Sequence, residues 1–277
     1  MTLLILEPNT FPVARLLYGS EPRDGDFRFA SHSVILNEKS YPVGRVLLSG
    51  VEVLPVTQQQ ALCGALRENP TVNRVYNLPS AEPRRFAHLQ ALHAAGFNEF
   101  QVWLGPRVLE ANAFPLVLRH IVTGAVLSPV IASREGVLQA CAQLQWQLDA
   151  VLGVELCVEQ GRDGLYRKYS CFVVGKATIP AHLHLAKHWL IRGKDKMTTR
   201  EAALEEDEYL ADNPHHEQLC RAASICAVDF ARIDYGISNG RVQVYEFNLT
   251  PGPGVPAGKA SREDFIRSAL RRALPAL

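Results

Sequence analysis

Excess charge of either sign is the scarcest feature of this sequence. Its 29 Lys and Arg stand against 28 Asp and Glu, a formal net charge of +1 over 277 residues. That balance excludes a broad basic face for nucleic acid or an anionic bilayer, but leaves room for a local positive pocket. No run of roughly 18 apolar residues occurs, which removes a membrane-spanning helix from consideration. Six cysteines are scattered at positions 63, 141, 157, 171, 220 and 226 without a C-x-x-C pair. Zinc-ribbon and thioredoxin-type sites are thereby excluded, and a disulfide framework is not indicated. The chain lacks G-x-G-x-x-G, G-x-x-x-x-G-K-[ST] and G-x-S-x-G, so Rossmann, P-loop and nucleophile-elbow chemistry find no support. No internal repeat or low-complexity segment is visible.

What is present is ample apolar material: 47% hydrophobic residues, enough for one or two packed cores. The start of the chain, Met1 to Pro8, has no basic segment and its apolar run is cut at Glu7. It reads as a first strand rather than a signal peptide, and a reducing cytoplasm is the expected compartment. Helix and strand periodicities then alternate. Strands are expected at Leu3–Leu6, Val46–Val53, Val72–Tyr76, Glu99–Leu104 and Val154–Glu159. Asn9–Asp26 reads as loop with one short helix. Hairpins are expected at Pro115–Ile131 around Thr123-Gly124, at Lys168–Leu183 around Gly175-Lys176, and at Val228–Phe247 around Asn239-Gly240. Helices are expected at Thr57–Arg67 with Thr57 as cap, Ala81–Ala95 with Gly96 as stop, Ser133–Leu152 with Gly153 as stop, Pro214–Ala227, and from Ser261 to about Ala273. The acid-rich run Glu201–Glu208 reads as a solvated helix face or loop. The fold class is α/β (α+β), with hairpins rather than a strict βαβ array.

The richest segment is Val228–Tyr235 followed by Val242–Asn248. Side chains alternate along a strand, so Arg232 and Asp234 share a face, as do Glu246 and Asn248. If the two strands pair through Asn239-Gly240, the four groups converge. Two carboxylates and an amide oxygen make a hard, oxygen-only site that suits Mg²⁺, with Arg232 as a phosphate-binding fork. The competing reading is a hairpin whose polar face meets solvent. The rigid Thr250-Pro251-Gly252-Pro253-Gly254 run immediately after the strand favours a shaped pocket.

Arg232-x-Asp234, Glu246-x-Asn248 and Pro251-Gly252 together resemble the metal-binding end of ATP-grasp enzymes. The closest branches are D-alanine–D-alanine ligase, glutathione synthetase and ribosomal-protein glutamate ligase. Upstream segments are similar in the same order: Asn77 to Gly96 with Arg84-Arg85 near the helix start, Phe114–Arg119, Leu156–Gln160, and Phe172–Gly175. The resemblance covers roughly residues 77 to 254. It implies three small subdomains, at 1–76, 77–153 and 154–277, with a nucleotide between the middle and C-terminal ones. It implies ATP and Mg²⁺ as cofactors, with Asp234, Glu246 and Asn248 as metal ligands and Arg232 at the transferring phosphate. Arg85 and Arg119 would bind phosphates, Glu159 and Gln160 the adenine, and Asp163 the ribose hydroxyls. Arg167 and Lys168 would line the nucleotide or acyl pocket, and His184 or Arg192 would face the active site. His182 and His184 share a strand face, but no partner has zinc-site spacing; His188, His215 and His216 read as structural or solvated.

The sequence departs from the family in three places. Ile121–Leu127 offers one glycine where a Gly-rich loop is usual, both nucleotide lysines are arginines, and Ser170 stands where peptide ligases often carry Arg. The implied activity is ADP-forming activation of a small-molecule carboxylate as an acyl phosphate for attack by an amine or amino acid. A small-molecule kinase and a non-catalytic nucleotide-binding protein of the same fold are the alternatives. Nucleic acid and membrane are not expected partners, and oligomeric state is not indicated.

Overall fold

The computed structural model describes residues 3–8, 10–19, 27–37, 44–79, 82–121, 127–192, 195–251 and 260–277. The chain builds three sheets. The first contains β1 (Leu3–Glu7), β2 (Phe27–Ser31), β3 (Gly44–Leu48) and β4 (Val72–Tyr76), in the order β2-β1-β3-β4 with every pair parallel. Both faces of this sheet are covered, as parallel sheets require. Leu6, Val46 and Leu48 pack against α2 (His32–Leu36) and α3 (Val56–Glu68), while Leu3, Ile5 and Leu47 pack toward α1 (Pro12–Tyr18). The β2–α2 unit had no strong sequence signal. The expected strand Val46–Val53 ends at Leu48, and residues 51–53 form a 3₁₀ turn after Gly50, whose φ is +65°. Thr57 does not cap α3: Pro55 holds the cap position and its carbonyl accepts the amide of Gln59.

The second sheet is small and antiparallel: β5 (Val102–Leu104), β6 (Leu116–His120) and β7 (Val151–Glu155), ordered β5-β7-β6. Bridges Leu116–Ile131 and Arg119–Leu127 give the expected hairpin partner of β6, while its Thr123-Gly124 turn lies outside the described residues. Ser133 caps α5 (Arg134–Leu144) as expected, its hydroxyl accepting the Gly136 amide. The helix stops eight residues short of Leu152, because Gln145 turns left-handed (φ +54°). Gly153 is not a stop signal but the middle of β7; a Cβ there would run into Val108.

The third sheet is antiparallel and holds the largest core. Its strands are β8 (Tyr166–Val174), β9 (Ala177–Ala186), β10 (Phe230–Ser238) and β11 (Arg241–Asn248), in the order β11-β10-β8-β9. One face packs on α4 (Arg84–Ala94), α6 (Arg200–Asp212) and α7 (His216–Ile225) through Leu92, Tyr209, Leu219, Ile233 and Tyr235. α4 ends as the sequence indicates: the Phe97 amide bonds Leu92 O, the Gly96 amide bonds His93 O, and Gly96 has φ +65°. On the other face, Phe172, Val174 and Phe230 pack with Ile266 and Leu270 of α8 (Ala260–Ala273) and with α1. α8 begins one residue before Ser261, so Ser261 is not its cap.

The acid-rich run is not wholly solvated. Glu206 of α6 is fully buried and takes Lys196 at 3.0 Å on both oxygens and Arg262 at 2.6 Å. Burial would raise its pKa, but the bonds from Arg262 and Lys196 outweigh it and hold the carboxyl at about 2. Asn77, left-handed at φ +58°, ties the end of β4 to the start of β10 through the Asp229 and Phe230 amides and the Phe230 carbonyl.

Candidate functional site

A two-residue turn at Asn239-Gly240, both with positive φ, joins β10 to β11. Its register pairs Ser238 with Arg241 and Tyr235 with Val244. Continued unbroken, that register would place Asp234 opposite Tyr245 and send Glu246 to the other face. A β-bulge between Asp234 and Tyr235 shifts the pairing by one, so Asp234 lies opposite Glu246 and Arg232 opposite Asn248. The bulge is accommodated by Gly236, where a Cβ would collide with the Tyr245 phenol, and by the Tyr245 hydroxyl donating to Cys157 O at 3.1 Å. The four polar groups therefore do share a face, but the bulge rather than simple alternation puts them there.

Every oxygen of the two carboxylates has a partner. Asp234 Oδ1 accepts Ser170 Oγ at 2.8 Å and Arg232 Nε at 3.1 Å, while Lys168 Nζ stands 3.8 Å from Oδ2. Glu246 Oε1 accepts Arg85 Nη2, and Arg119 Nη2 lies 3.9 Å from Oε2. Arg85 comes from α4 and Arg119 from β6, so a second wall brings cations to the carboxylates of the third sheet. Burial lowers the Arg85 pKa to about 9, aided by Arg119 and opposed by Asp234. Burial likewise lowers Arg119 to about 10, again opposed by Asp234, and both guanidiniums stay charged at neutral pH. Burial also lowers Lys168, against the pull of Asp234. Four cations thus face two carboxylates, leaving a positive surplus that an anionic ligand would neutralise.

Arg85, Arg119, Lys168, Asp234 and Glu246 line a cleft of about 290 Å³ between β6–β7 and the third sheet. Val117, Leu156, Val158, Leu190, Ile191 and Ile237 give the same cleft apolar walls. Arg167, Lys168, Glu159 and Arg192 also line it. A cleft that combines apolar walls with clustered cations and paired carboxylates suits a ligand that is part apolar and part anionic, as a nucleotide is.

The remaining expected residues are placed as follows. Glu159 accepts the Asn239 amide at 2.6 Å, so it pins the β10–β11 turn from the cleft wall. Gln160 and Asp163 lie in the exposed turn before β8: Gln160 Nε2 donates to Gly164 O, and Asp163 accepts Arg167 Nη2 at 2.6 Å. Arg167 also makes a two-pronged pair with Glu205 of α6 at 2.5 and 2.9 Å. Asn248 Oδ1 accepts the Thr250 amide at 3.1 Å. His184 is buried on β9 directly across from Lys168. The Gly252-Pro253-Gly254 run lies outside the described residues. Sequence reasoning passed over Ser170 as an Asp234 partner and Tyr245 as the bulge residue. Ser170 carries a signal in its strand parity with Lys168; the bulge carries none beyond Gly236.

Among the described residues, no group of three or more His, Cys, Asp or Glu is placed to hold a metal ion. The Asp234–Glu246 pair with Asn248 supplies oxygen donors only, so a hard cation there would complete its shell from its ligand and water. No described helix is long and apolar enough to cross a membrane.

No family model matches the sequence, and no curated protein is similar to it. Solved structures are similar over nearly the whole chain. D-alanine–D-alanine ligase from Bacillus anthracis matches at 14% identity and TM-score 0.59, over 99% of this chain and 96% of that one. The ATP-grasp ligase PsnB bound to its minimal precursor matches at 14% identity and TM-score 0.54, over 99% of each chain. D-alanine–D-alanine ligase from Coxiella burnetii matches at 12% identity and TM-score 0.55, over 100% and 95%. PsnB is also similar as its complex with Mg and ADP, and the B. anthracis ligase as its complex with ATP. The fold of this chain is the ATP-grasp fold.

Proposed function

We propose that this chain is an ATP- and Mg²⁺-dependent ligase, ADP-forming, that activates a carboxylate as an acyl phosphate for attack by an amine. The observation that carries the reading is the bulge-set pairing of Asp234 with Glu246, faced by Arg85 and Arg119 from the opposite wall. In this reading the chain divides at 1–76, 77–153 and 154–277, with the nucleotide in the cleft between the last two. Adenine lies against Leu156 and Val158, with Glu159 and Gln160 at that end and Asp163 toward the ribose. Arg85, Arg119 and Lys168 hold the phosphates, Arg167 lines the same cleft, and His184 lies across from Lys168 on β9. Asp234, Glu246 and Asn248 are the Mg²⁺ ligands, and the donor set fits: oxygens only, with a surplus of cations ready to release the carboxylates to a metal and take phosphate oxygens instead. Bound Mg²⁺ would neutralise the β- and γ-phosphate oxygens.

The protein's own residues then act by position and charge. Arg232, held by Asp234, stabilises the charge that builds on the transferring phosphoryl group. A substrate carboxylate oxygen bonds to the γ-phosphorus as the bond to ADP breaks. The amine nitrogen then bonds to the carbonyl carbon, phosphate leaves with the acyl C–O electron pair, and the ammonium proton passes to water. Six free thiols fit a reducing compartment, the cytoplasm.

The test is ADP release by the full chain with Mg²⁺–ATP and libraries of carboxylates and amines. E246Q should lose about a hundredfold to a thousandfold in turnover while keeping its fold by circular dichroism, a loss of the size expected for a group acting on transition-state charge. Turnover retained in that variant would overturn the assignment.

A further inference from the structure

Ser170 lies in the middle of the third sheet, directly opposite Asp234 in the unbroken β8–β10 register. Side chains facing each other on neighbouring strands stand close enough to bond, and the Ser170 hydroxyl donates to Asp234 Oδ1 at 2.8 Å. Two register shifts fall at this level. One, between Asp234 and Tyr235, sets Glu246 beside Asp234. The other, between Ser170 and Cys171, breaks the β8–β9 ladder and leaves Ala181 as the extra residue. Bulges re-aim side chains, often next to functional sites. Ser170 itself is wholly buried, and its carbonyl accepts the Tyr209 hydroxyl at 2.9 Å. Tyr209 is held in turn by the Tyr235 hydroxyl at 3.1 Å, which meets His215 Nδ1 at 3.0 Å. The serine is thus fixed from α6 and α7 as well as by both neighbouring strands.

A carboxylate has about four lone-pair sites, two on each oxygen. Both sites of Asp234 Oδ1 are taken, by Ser170 Oγ and by Arg232 Nε at 3.1 Å. Lys168 Nζ stands 3.8 Å from Oδ2, an ion pair beyond hydrogen-bond length. Asp234, Glu246 and Lys168 all line the cleft. A cation arriving there meets Oδ2 as the open oxygen and drives Lys168 away. Arg232 can leave Oδ1 for an anionic ligand, but the buried serine has nowhere to turn. Asp234 is thereby limited to a single metal bond. That limit weighs differently on different ions. Mg²⁺ takes six oxygens in a strict octahedron at about 2.0–2.1 Å, whereas Ca²⁺ takes six to eight at about 2.3–2.6 Å and can use both oxygens of one carboxylate.

We propose that Ser170 is a positioning residue that confines Asp234 to coordination through Oδ2 alone, and so makes the site select Mg²⁺ over Ca²⁺. The metal's place at Asp234 rests on the ligase reading; the filled Oδ1 does not. S170A opens one site on Oδ1 and lets Asp234 offer both oxygens to the larger ion once Arg232 has moved to phosphate. S170T keeps the hydroxyl and with it the restriction.

The test compares metals rather than turnover. Fluorescent ADP is titrated by anisotropy with full-length native protein, S170A and S170T, in EDTA, in saturating Mg²⁺ and in saturating Ca²⁺. Native protein should bind at least about tenfold more tightly with Mg²⁺ than with Ca²⁺, and S170A should narrow that ratio at least about threefold. S170T should hold the native ratio. In EDTA the three proteins should agree within about twofold, because Ser170 is buried behind Asp234 and acts only through it. A native protein indifferent to the choice of metal would overturn the proposal. So would S170A with the native ratio, or S170T with the ratio of S170A. Mn²⁺, followed by the electron paramagnetic resonance signal of the free ion, is a second probe that needs no nucleotide. Absence of ADP binding in every buffer would remove the ligase reading, and Mn²⁺ then decides the serine separately. Mn²⁺ displaced by Mg²⁺ in preference to Ca²⁺ in native protein, but without preference in S170A, would keep its role. Mn²⁺ that stays free, or is displaced alike in both proteins, would overturn it.

Discussion

At the carboxyl end of β1 the side chain of Glu7 is wholly buried, and its two oxygens accept the amides of Val13 and Ala14 at 2.6 and 3.1 Å. Burial outweighs those two bonds and raises its pKa from 4.5 to about 7. Between those values the native protein keeps a proton that the unfolded chain has already released. Stability therefore falls as pH rises through that window, by at most about 3 kcal/mol. E7Q keeps a neutral side chain at every pH and removes the slope. Relative to the native protein, E7Q should gain stability between about pH 5 and about pH 8, read as urea midpoints at each pH. A difference that stays constant with pH would show that Glu7 is ionised throughout. Glu206 runs the other way. Its carboxyl, lowered from 4.5 to about 2 by Arg262 and Lys196, contributes stability that is present at neutral pH and lost progressively as the pH falls from about 4.5 through about 2.

Among the elements, the β10–β11 hairpin decides the chemistry, and one glycine decides the hairpin. G236A puts a methyl group into the Tyr245 phenol, which is held by Cys157 O and packed beside Phe100. The cost should be about 1–3 kcal/mol, typical of overpacking. Because removing the hydroxyl relieves the worst contact, Y245F should cost less in the G236A background than in the native one. Thermal unfolding of the two single variants and the double would show this as non-additivity; strict additivity would mean the ring moves freely. The same hairpin marks the limit of what could be read from the sequence. Asn239-Gly240 between two apolar runs announced the turn, and strand alternation grouped Arg232 with Asp234 and Glu246 with Asn248. The joining of those two groups needed a bulge, which leaves no compositional trace because it depends on Gly236 and Tyr245 meeting across strands. Gly153 misled for a related reason: its use is a close approach by Val108, distant in sequence, rather than a local helix stop. Glu206 looked solvated because its partners, Lys196 and Arg262, lie on other segments. Local chemistry was legible; pairings made across the fold were not.

Over the whole molecule, the near-zero net charge conceals a local surplus assembled from separate parts of the fold. Arg85 and Arg119 arrive from α4 and β6, and Lys168 and Arg232 from the third sheet, to face Asp234 and Glu246. Removing one carboxylate should thus have opposite effects with and without metal. In E246Q the guanidiniums of Arg85 and Arg119 lose a competing anion. A polyphosphate should bind metal-free protein more tightly, on the order of tenfold or ~1.4 kcal/mol. With excess Mg²⁺ the same variant lacks a metal ligand, and the gain should shrink or reverse. Anisotropy titrations of a fluorescent ADP against native protein and E246Q, in EDTA and in Mg²⁺, separate the two effects. The EDTA gain should diminish with added salt, because the cleft is open enough for ions to screen it. Weaker binding in both conditions would mean that Glu246 holds the arginines in place rather than competing for them. The cleft would then depend on the carboxylate for its shape as well as for its metal.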